Sequence, residues 1–148
     1  DFALVPGAPN AYGLLGNKAN APAPGKRMLS SMTPTFVFGP ERVGVIGSPG
    51  GSTIITQVFE GILAFMHGES AVQIAATPRY HHQYLPDVVY AEPNAFDAAT
   101  AKALTGMGYI VKARGHWGFM NVVTWDLRAN KLDAASDPRH DVGLGEVQ

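Results

Sequence analysis

The sequence predicts an α+β fold, in which strands and helices occupy separate stretches of the chain. Runs rich in β-branched and aromatic residues come in two groups, at residues 33–46 and 109–136. Between them, apolar residues recur at three- and four-residue steps, which is typical of amphipathic helices. This segregation favours α+β or a layered sandwich over a doubly wound parallel sheet. The 148 residues are enough for one domain with a real core.

The first 27 residues are rich in Gly and Pro, so they cannot form a long helix or a central strand. Apolar and aromatic residues such as Phe2, Tyr12 and Leu14 are scattered through them, whereas disordered segments are poor in such residues. We therefore predict an ordered, lid-like loop over residues 1–27.

The remaining elements follow from local patterns. The predicted strands are Thr33–Phe38, Arg42–Ile46, Tyr109–Ala113, Phe119–Leu127 and Lys131–Ser136. The predicted helices run from Ser52 to about His67, over Ser70–Ala76, and from an Asp97 N-cap to about Met107. Gly39-Pro40-Glu41 and Ala129-Asn130 suit hairpin turns. Residues 77–96 are predicted to be a loop.

Composition excludes several classes of function. Net charge is −1, which argues against a nucleic-acid or polybasic membrane binder. Without cysteine, the chain has no disulfide, thiolate metal site or Cys nucleophile. No apolar run approaches the roughly 20 residues that cross a bilayer. Charged residues are 16%, against about 25% in typical soluble domains. A chain that meets other protein on several sides has such a composition.

The sharpest local signal is Gly47-Ser48-Pro49-Gly50-Gly51, between a predicted strand and a predicted helix. Consecutive glycines at a helix start let the backbone approach a ligand, and free N–H groups there hold an anion or a developing oxyanion. The known phosphate-loop patterns and the nucleophile elbow G-x-S-x-G do not match. A plain strand-to-helix turn is the competing interpretation, and the residues by themselves favour it.

Three further features carry weaker signals. Ser30 and Ser31 are adjacent hydroxyls that can donate to a carboxylate, or act as turn residues. Asp137 and Arg139 suit a structural ion pair at a strand end, with the support of an active-site loop as the alternative. A terminal carboxylate such as Asp1 has no meaning by itself.

The five histidines do not predict a metal site. His81 and His82 are neighbours whose side chains point apart on a strand, and no H-x-x-x-H spacing occurs. His67, His116 and His140 are isolated. All five are interpreted as structural or solvated.

Taken together, a series of short motifs resembles the C-terminal part of the small subunit of γ-glutamyltransferases (γ-glutamyltranspeptidases), in family order over nearly the whole chain. The motifs are Pro6-Gly7, Pro9 to Leu14, Asn20-Ala21, Lys26-Arg27, Leu29 to Met32, Pro34-Thr35, Gly47 to Ser52, Ile54 to Thr56, Pro78-Arg79, His81 to Gln83, Leu85 to Asp87 and Ala135 to Arg139.

The resemblance implies an N-terminal-nucleophile hydrolase fold, an αββα sandwich of two stacked antiparallel sheets flanked by helices. Family members are precursors that cut themselves, and the new N-terminal Thr of the small subunit is the nucleophile. They take the γ-glutamyl group from glutathione or a similar amide through an acyl-enzyme and pass it to an amino acid, a peptide or water. The mechanism uses no cofactor and no metal, and the enzymes are periplasmic or extracellular.

The resemblance also assigns site residues. Asp1 matches the carboxylate that binds the α-ammonium of the γ-glutamyl group, and Ser30 and Ser31 match the serine pair of the same pocket. Gly50 and Gly51 match the oxyanion-hole glycines. Tyr12, within residues 6–16, matches the tyrosine of a lid over the substrate.

Residue 1 is Asp and not Thr, so we expect the nucleophile to lie upstream of it. The carboxylate-clamping arginine is expected on the large subunit. The 148 residues are therefore interpreted as a single partial domain, inactive alone, whose partners are the large subunit and the missing start of the small subunit. Two alternatives stay open. One is a related acylase that acts on β-lactam side chains or poly-γ-glutamate, and the other is a non-catalytic structural or interaction module.

Overall fold

The computed structural model describes residues 1–139 and residues 143, 145 and 147. In these residues the strands are β1 Thr35–Phe38, β2 Arg42–Gly47, β3 Tyr80–His81, β4 Val89–Ala91, β5 Val111–Ala113, β6 Asn121–Asp126 and β7 Lys131–Ser136. The α-helices are α1 Ile54–Met66, α2 Ala71–Ala76 and α3 Ala98–Gly106. Short 3₁₀ turns cover Lys18–Asn20 and Gly51–Thr53. The predicted α+β class is confirmed.

The main sheet is antiparallel, with the strand order β1-β2-β6-β7. One face packs against α1 and α2 and forms the core around Ile46, Val58, Ile74 and Met120. Gly44 of β2 makes room for this packing, because a Cβ there would lie 2.8 Å from the Phe65 ring. The predicted amphipathic helix therefore packs on the predicted hairpin.

The opposite face of the main sheet is apolar and open in the described residues. Phe38, Val43, Trp125 and Leu132 stand side by side across its strands. Phe38 is 76% exposed, and Trp125 is 42% exposed. An apolar face of this extent is typical of a surface that other protein covers, in agreement with the low charge content.

The second sheet has the order β3-β4-β5. Its β3–β4 pair is antiparallel, but β4 and β5 are parallel. The reason is the connection: α3 lies between β4 and β5, and parallel neighbours need such a crossover. Pairing between strands is thus antiparallel in the main sheet, as predicted, and mixed in the second. The predicted loop at residues 77–96 was wrong in detail, since β3 and β4 are strands of two and three residues.

Several predicted boundaries move by one or two residues, for identifiable reasons. The first strand begins at Thr35, after Pro34, which has no N–H for the ladder. The strand predicted from Tyr109 begins at Val111, because the Tyr109 N–H donates to Leu104 O and closes α3. The predicted N-cap of α3 is confirmed: Asp97 accepts from the Thr100 N–H at 2.7 Å.

The strand predicted from Phe119 begins at Asn121, because two preceding N–H groups bond to side chains. Phe119 N–H donates to Ser48 Oγ at 3.2 Å, and Met120 N–H donates to Asp137 Oδ2 at 3.0 Å. The turn that follows this strand spans residues 127–130. Asn130 adopts φ +49° there, as the predicted turn chemistry requires.

A buried network of two arginines and two carboxylates joins the two sheets. Arg79 pairs with Asp137, while Arg139 pairs with Asp137 at 3.0 Å and with Glu92 at 2.8 Å. Both arginines also donate to carbonyls at the end of α2. Burial favours the neutral acid, but hydrogen bonds from Arg79 and from two N–H groups hold the pKa of Asp137 below its usual value. The predicted structural ion pair Asp137–Arg139 is confirmed.

Glu60 of α1 is a third buried acid, and it has no cationic partner at hydrogen-bond distance among the described residues. Its Oε1 accepts from the Tyr80 N–H at 2.8 Å, and its Oε2 has no partner there. Burial raises the pKa of Glu60 to about 8. Between about pH 4.5 and pH 8 the folded protein therefore holds a proton here that the unfolded chain releases.

We predict that stability falls as the pH rises through this window, by up to about 1.4 kcal/mol per pH unit from this one group. Glu60→Gln, which stays neutral, should remove that contribution and raise the stability at pH 8 relative to pH 5. Chemical denaturation of both proteins at pH 5 and pH 8 measures it, with Glu69→Gln, in the segment that follows the same helix, as a control. Identical pH profiles for wild type and Glu60→Gln would contradict the assignment.

Candidate functional site

A cavity of about 900 Å³ lies beneath the N-terminal loop and next to the Gly-rich turn. It brings together residues from four separate stretches of the sequence. Of the predicted site residues, its lining includes Asp1, Tyr12, Ser30, Ser31 and Gly51. Gly50 adjoins Gly51 but does not line the cavity. Five of the six residues singled out from the sequence are therefore neighbours in space.

Asn20 connects the two chain segments that carry Asp1 and Ser30. Its Nδ2 donates to Asp1 O at 2.8 Å, and its Oδ1 accepts from Leu29 N–H at 3.2 Å. Its backbone O accepts from Ala3 N–H at 2.9 Å. The sequence singled out Asn20 as part of a family motif, and not for this cross-link, which positions the carboxylate residue beside the serine pair.

Hydrogen bonds from the two following residues hold the serine pair. Ser30 Oγ accepts from Met32 N–H at 3.1 Å, and Ser31 O accepts from Thr33 Oγ1 at 2.8 Å. Because an accepted hydrogen bond leaves the hydroxyl proton of Ser30 free, this hydroxyl can donate to a ligand in the cavity.

Tyr12 sits at the tip of a turn built by Asn10. Asn10 Oδ1 accepts from the N–H groups of Tyr12 at 2.9 Å and Leu14 at 3.0 Å. Gly13 takes φ +77°, a conformation that favours glycine. The turn brings the Tyr12 ring against Gly51, where a Cβ would overlap the ring and lie 2.7 Å from Oη. Glycine at position 51 is thus required for this contact.

The Gly-rich turn is held from below by Gln57 of α1, which is fully buried. Gln57 Oε1 accepts from Ser48 Oγ at 2.6 Å, and Nε2 donates to Thr53 Oγ1 at 2.8 Å. Gly50 has φ +147°, and a Cβ there would lie 2.6 Å from Gln57 Nε2. Within residues 1–139, the N–H groups of Gly50 and Gly51 have no acceptor. Sequence reasoning missed Gln57 because it lies on the inner face of an ordinary helical pattern.

A second cavity of about 410 Å³ adjoins the first, and Tyr12 and Ser52 line both. His81 and Gln83 lie on its wall. His81 bonds through Nδ1 to Thr56 Oγ1 and through Nε2 to Gln83 Oε1, both at 2.8 Å. Burial lowers the pKa of His81. Of the two roles interpreted from the sequence, structural or solvated, these two bonds agree with the structural one.

The other histidines have simpler surroundings. His82 pairs with Asp87 at 2.7 Å, His116 lies 3.3 Å from Glu92, and His67 is the exposed C-cap of α1. His140 lies outside the described residues. In the described part of the chain no cluster of three or more His, Asp or Glu side chains has the arrangement of a metal site.

The sequence pattern of a known family covers residues 1–146, and that family is γ-glutamyltranspeptidase. The chain belongs to the γ-glutamyltranspeptidase family. It is 40% identical to the glutathione hydrolase proenzyme of Pseudomonas aeruginosa over 97% of its own length and 27% of that protein. It is also 40% identical to the Escherichia coli glutathione hydrolase proenzyme, over 94% of its length and 24% of that protein.

The fold agrees with this membership. The chain superposes on the T380A mutant of Helicobacter pylori γ-glutamyltranspeptidase with a TM-score of 0.84 and 37% identity, covering 94% of this chain and 77% of that one. The two sheets and their helices therefore belong to the N-terminal-nucleophile hydrolase fold of this family. The 148 residues span about a quarter of the length of the curated relatives. In the described residues, no helix is long and apolar enough to span a membrane.

Proposed function

We propose that this chain is part of an enzyme that transfers the γ-glutamyl group of glutathione or a related amide. The group passes through an acyl-enzyme to an amino acid, a peptide or water. The observation that carries the proposal is the cavity that gathers Asp1, Ser30, Ser31 and Gly51, in a chain of the γ-glutamyltranspeptidase family.

The chemistry of the cavity suits the α-carbon end of a γ-glutamyl group, which carries an ammonium and a carboxylate. The Asp1 carboxylate pairs with the ammonium, since charge-assisted hydrogen bonds are the stronger ones. Ser30 and Ser31 donate to the carboxylate. Asn20 holds the two halves of this recognition site next to each other through its bonds to Asp1 O and Leu29 N–H.

The scissile amide of such a ligand then lies toward the Gly-rich turn. The N–H groups of Gly50 and Gly51 stabilise the oxyanion that forms when the acyl carbon is attacked. Tyr12, against Gly51, covers the substrate and limits the entry of water. This segment supplies pocket and oxyanion groups, and the nucleophilic Thr comes from outside these 148 residues.

The partners we propose are the large subunit and the start of the small subunit. The apolar face of the main sheet, with Phe38 and Trp125 exposed, is the surface that they cover. We further propose a periplasmic or extracellular location, as is typical of the family.

The first test compares the complete protein with the isolated 148 residues. The complete protein should release the aniline from a γ-glutamyl anilide, and the isolated segment should not exceed the buffer rate, because it lacks the nucleophile. A glutaryl-side-chain substrate run in parallel tests the acylase alternative. Preference for that substrate, or no turnover by the complete protein, would contradict the proposal.

The second prediction concerns Asp1. In the complete protein, Asp1→Ala should raise KM for the γ-glutamyl donor by about tenfold or more and leave kcat less affected, because the ammonium loses its partner. Asp87→Ala, which removes an exposed carboxylate outside the cavity, is the matched control. Unchanged donor affinity in Asp1→Ala would show that Asp1 does not bind the ammonium.

The third prediction concerns the oxyanion groups. Gly50→Val should lower kcat by roughly 10²–10³-fold, because a Cβ at φ +147° pushes against Thr53 and Gln57 and turns the N–H groups away. Gly68→Val places a side chain at φ +84° with no atom within 4 Å, and therefore controls for backbone strain alone. Equal kcat values in the two variants would show that these glycine N–H groups do not stabilise the oxyanion.

A further inference from the structure

A single side-chain amide joins the lid loop (residues 6–16) to the body of the protein. Gln83 Nε2 donates to the backbone carbonyl of Tyr12 at 2.6 Å, across 71 positions of sequence. The same Nε2 donates to Leu85 O at 2.6 Å. Gln83 Oε1 accepts from Ser52 Oγ and bonds to His81 Nε2, both at 2.8 Å.

These four bonds use the whole hydrogen-bonding capacity of the amide, which has two N–H donors and two acceptor lone pairs. The surroundings therefore identify which end of the amide is the nitrogen and which is the oxygen. The nitrogen faces two carbonyls, and the oxygen faces a hydroxyl and an imidazole N–H. A flipped amide would set its oxygen against two carbonyl oxygens, so Gln83 holds one orientation.

The partners of Gln83 are themselves fixed. His81 lies in β3 and bonds through its other nitrogen to Thr56 of α1. Ser52 belongs to the 3₁₀ turn that follows Gly50. The amide thus joins Tyr12 to β3 and to the 3₁₀ turn at the end of the Gly-rich turn.

The lid loop has few other attachments. Within the part of the chain that the structure describes, its other hydrogen bonds close inside residues 5–16, such as Gly7 N–H to Gly16 O and Asn10 N–H to Leu14 O. The Tyr12 ring packs on Gly51, and Gly13 packs beside Pro86. These apolar contacts do not fix the orientation of the turn, whereas the directional hydrogen bond from Gln83 to Tyr12 O does.

We propose that Gln83 is the latch of the lid loop: its amide holds Tyr12 over Gly51 and so sets how the acyl-enzyme partitions between water and an amine acceptor. The first half of this proposal, that the amide holds Tyr12 over Gly51, is a positioning role and follows from the geometry. The second half rests on the proposed function, because it needs an acyl group beneath Tyr12. With the latch open, water reaches that acyl group more freely and hydrolysis gains over transfer.

Two variants of the complete protein separate the contacts. Gln83→Glu keeps acceptor oxygens for Ser52 and His81 but loses both donors, and it sets a carboxylate against Tyr12 O. Gln83→Ala removes all four bonds. Gln73→Ala is the matched control, since Gln73 is another side-chain amide with a local hydrogen-bonding role, in the capping box of α2, and it lines neither cavity.

Amide hydrogen exchange over residues 9–15 tests the latch without using activity. We expect exchange there to be at least about fivefold faster in Gln83→Glu and Gln83→Ala than in wild type or Gln73→Ala, with the α1 peptides unchanged. Unchanged exchange over residues 9–15 in Gln83→Glu would overturn the latch. If exchange in the α1 peptides also becomes faster in Gln83→Ala but not in Gln83→Glu, the exchange over residues 9–15 in Gln83→Glu decides whether the latch exists.

The ratio of transfer to hydrolysis, measured with a γ-glutamyl anilide and a dipeptide acceptor, tests the second half. We expect the ratio to fall at least about fivefold in both Gln83 variants and to stay constant in Gln73→Ala. Faster exchange with an unchanged ratio would overturn the role in partitioning and keep the latch. Absence of γ-glutamyl turnover in the wild type would instead overturn the proposed function, while the exchange result would still decide the latch.

Discussion

The interaction on which the rest of the structure depends is the buried network of Arg79, Asp137, Arg139 and Glu92. Each of its members comes just before or after a strand: Arg79 precedes β3, Glu92 follows β4, and Asp137 and Arg139 follow β7. Buried charges are strongly destabilising when one partner is missing, so these strand ends must meet in one arrangement. The main sheet, the second sheet and α2 are thereby fixed to one another.

The candidate site is connected to this network through β3. Arg79 sets the start of β3, and His81 and Gln83 follow within four residues. The Gln83 amide then bonds to Tyr12 O, and it also bonds to Ser52, which directly follows the Gly-rich turn. On the other side of the cavity, Asn20 joins Asp1 to the serine pair. The cavity is therefore assembled from loops that two side-chain amides hold: Gln83 ties Tyr12 to β3 and to the 3₁₀ turn, and Asn20 ties the segment of Asp1 to that of the serine pair.

Local sequence was sufficient for much of the fold. The apolar steps of α1, the Asp97 cap and the Gly-rich turn each depend on residues a few positions apart, and the structure contains all three. Short motifs in family order also identified the family and five residues that line one cavity. Strands β3 and β4 were missed because two or three residues show no periodicity. The role of Gln57 was missed because it lies on the inner face of an ordinary helical pattern. The roles of Arg79 and Gln83 were missed because their partners come from other segments; for Gln83 and Tyr12 the separation is 71 residues.

The central claim is that the cavity beneath the lid loop recognises the α-carbon end of a γ-glutamyl group. The most direct measurement is a crystal structure of the complete protein with a bound, non-reacting γ-glutamyl compound. The account predicts the ligand ammonium within hydrogen-bond distance of the Asp1 carboxylate, its carboxylate at Ser30 and Ser31, and its acyl oxygen at the N–H groups of Gly50 and Gly51. A ligand bound in the opposite direction, or outside this cavity, would contradict it.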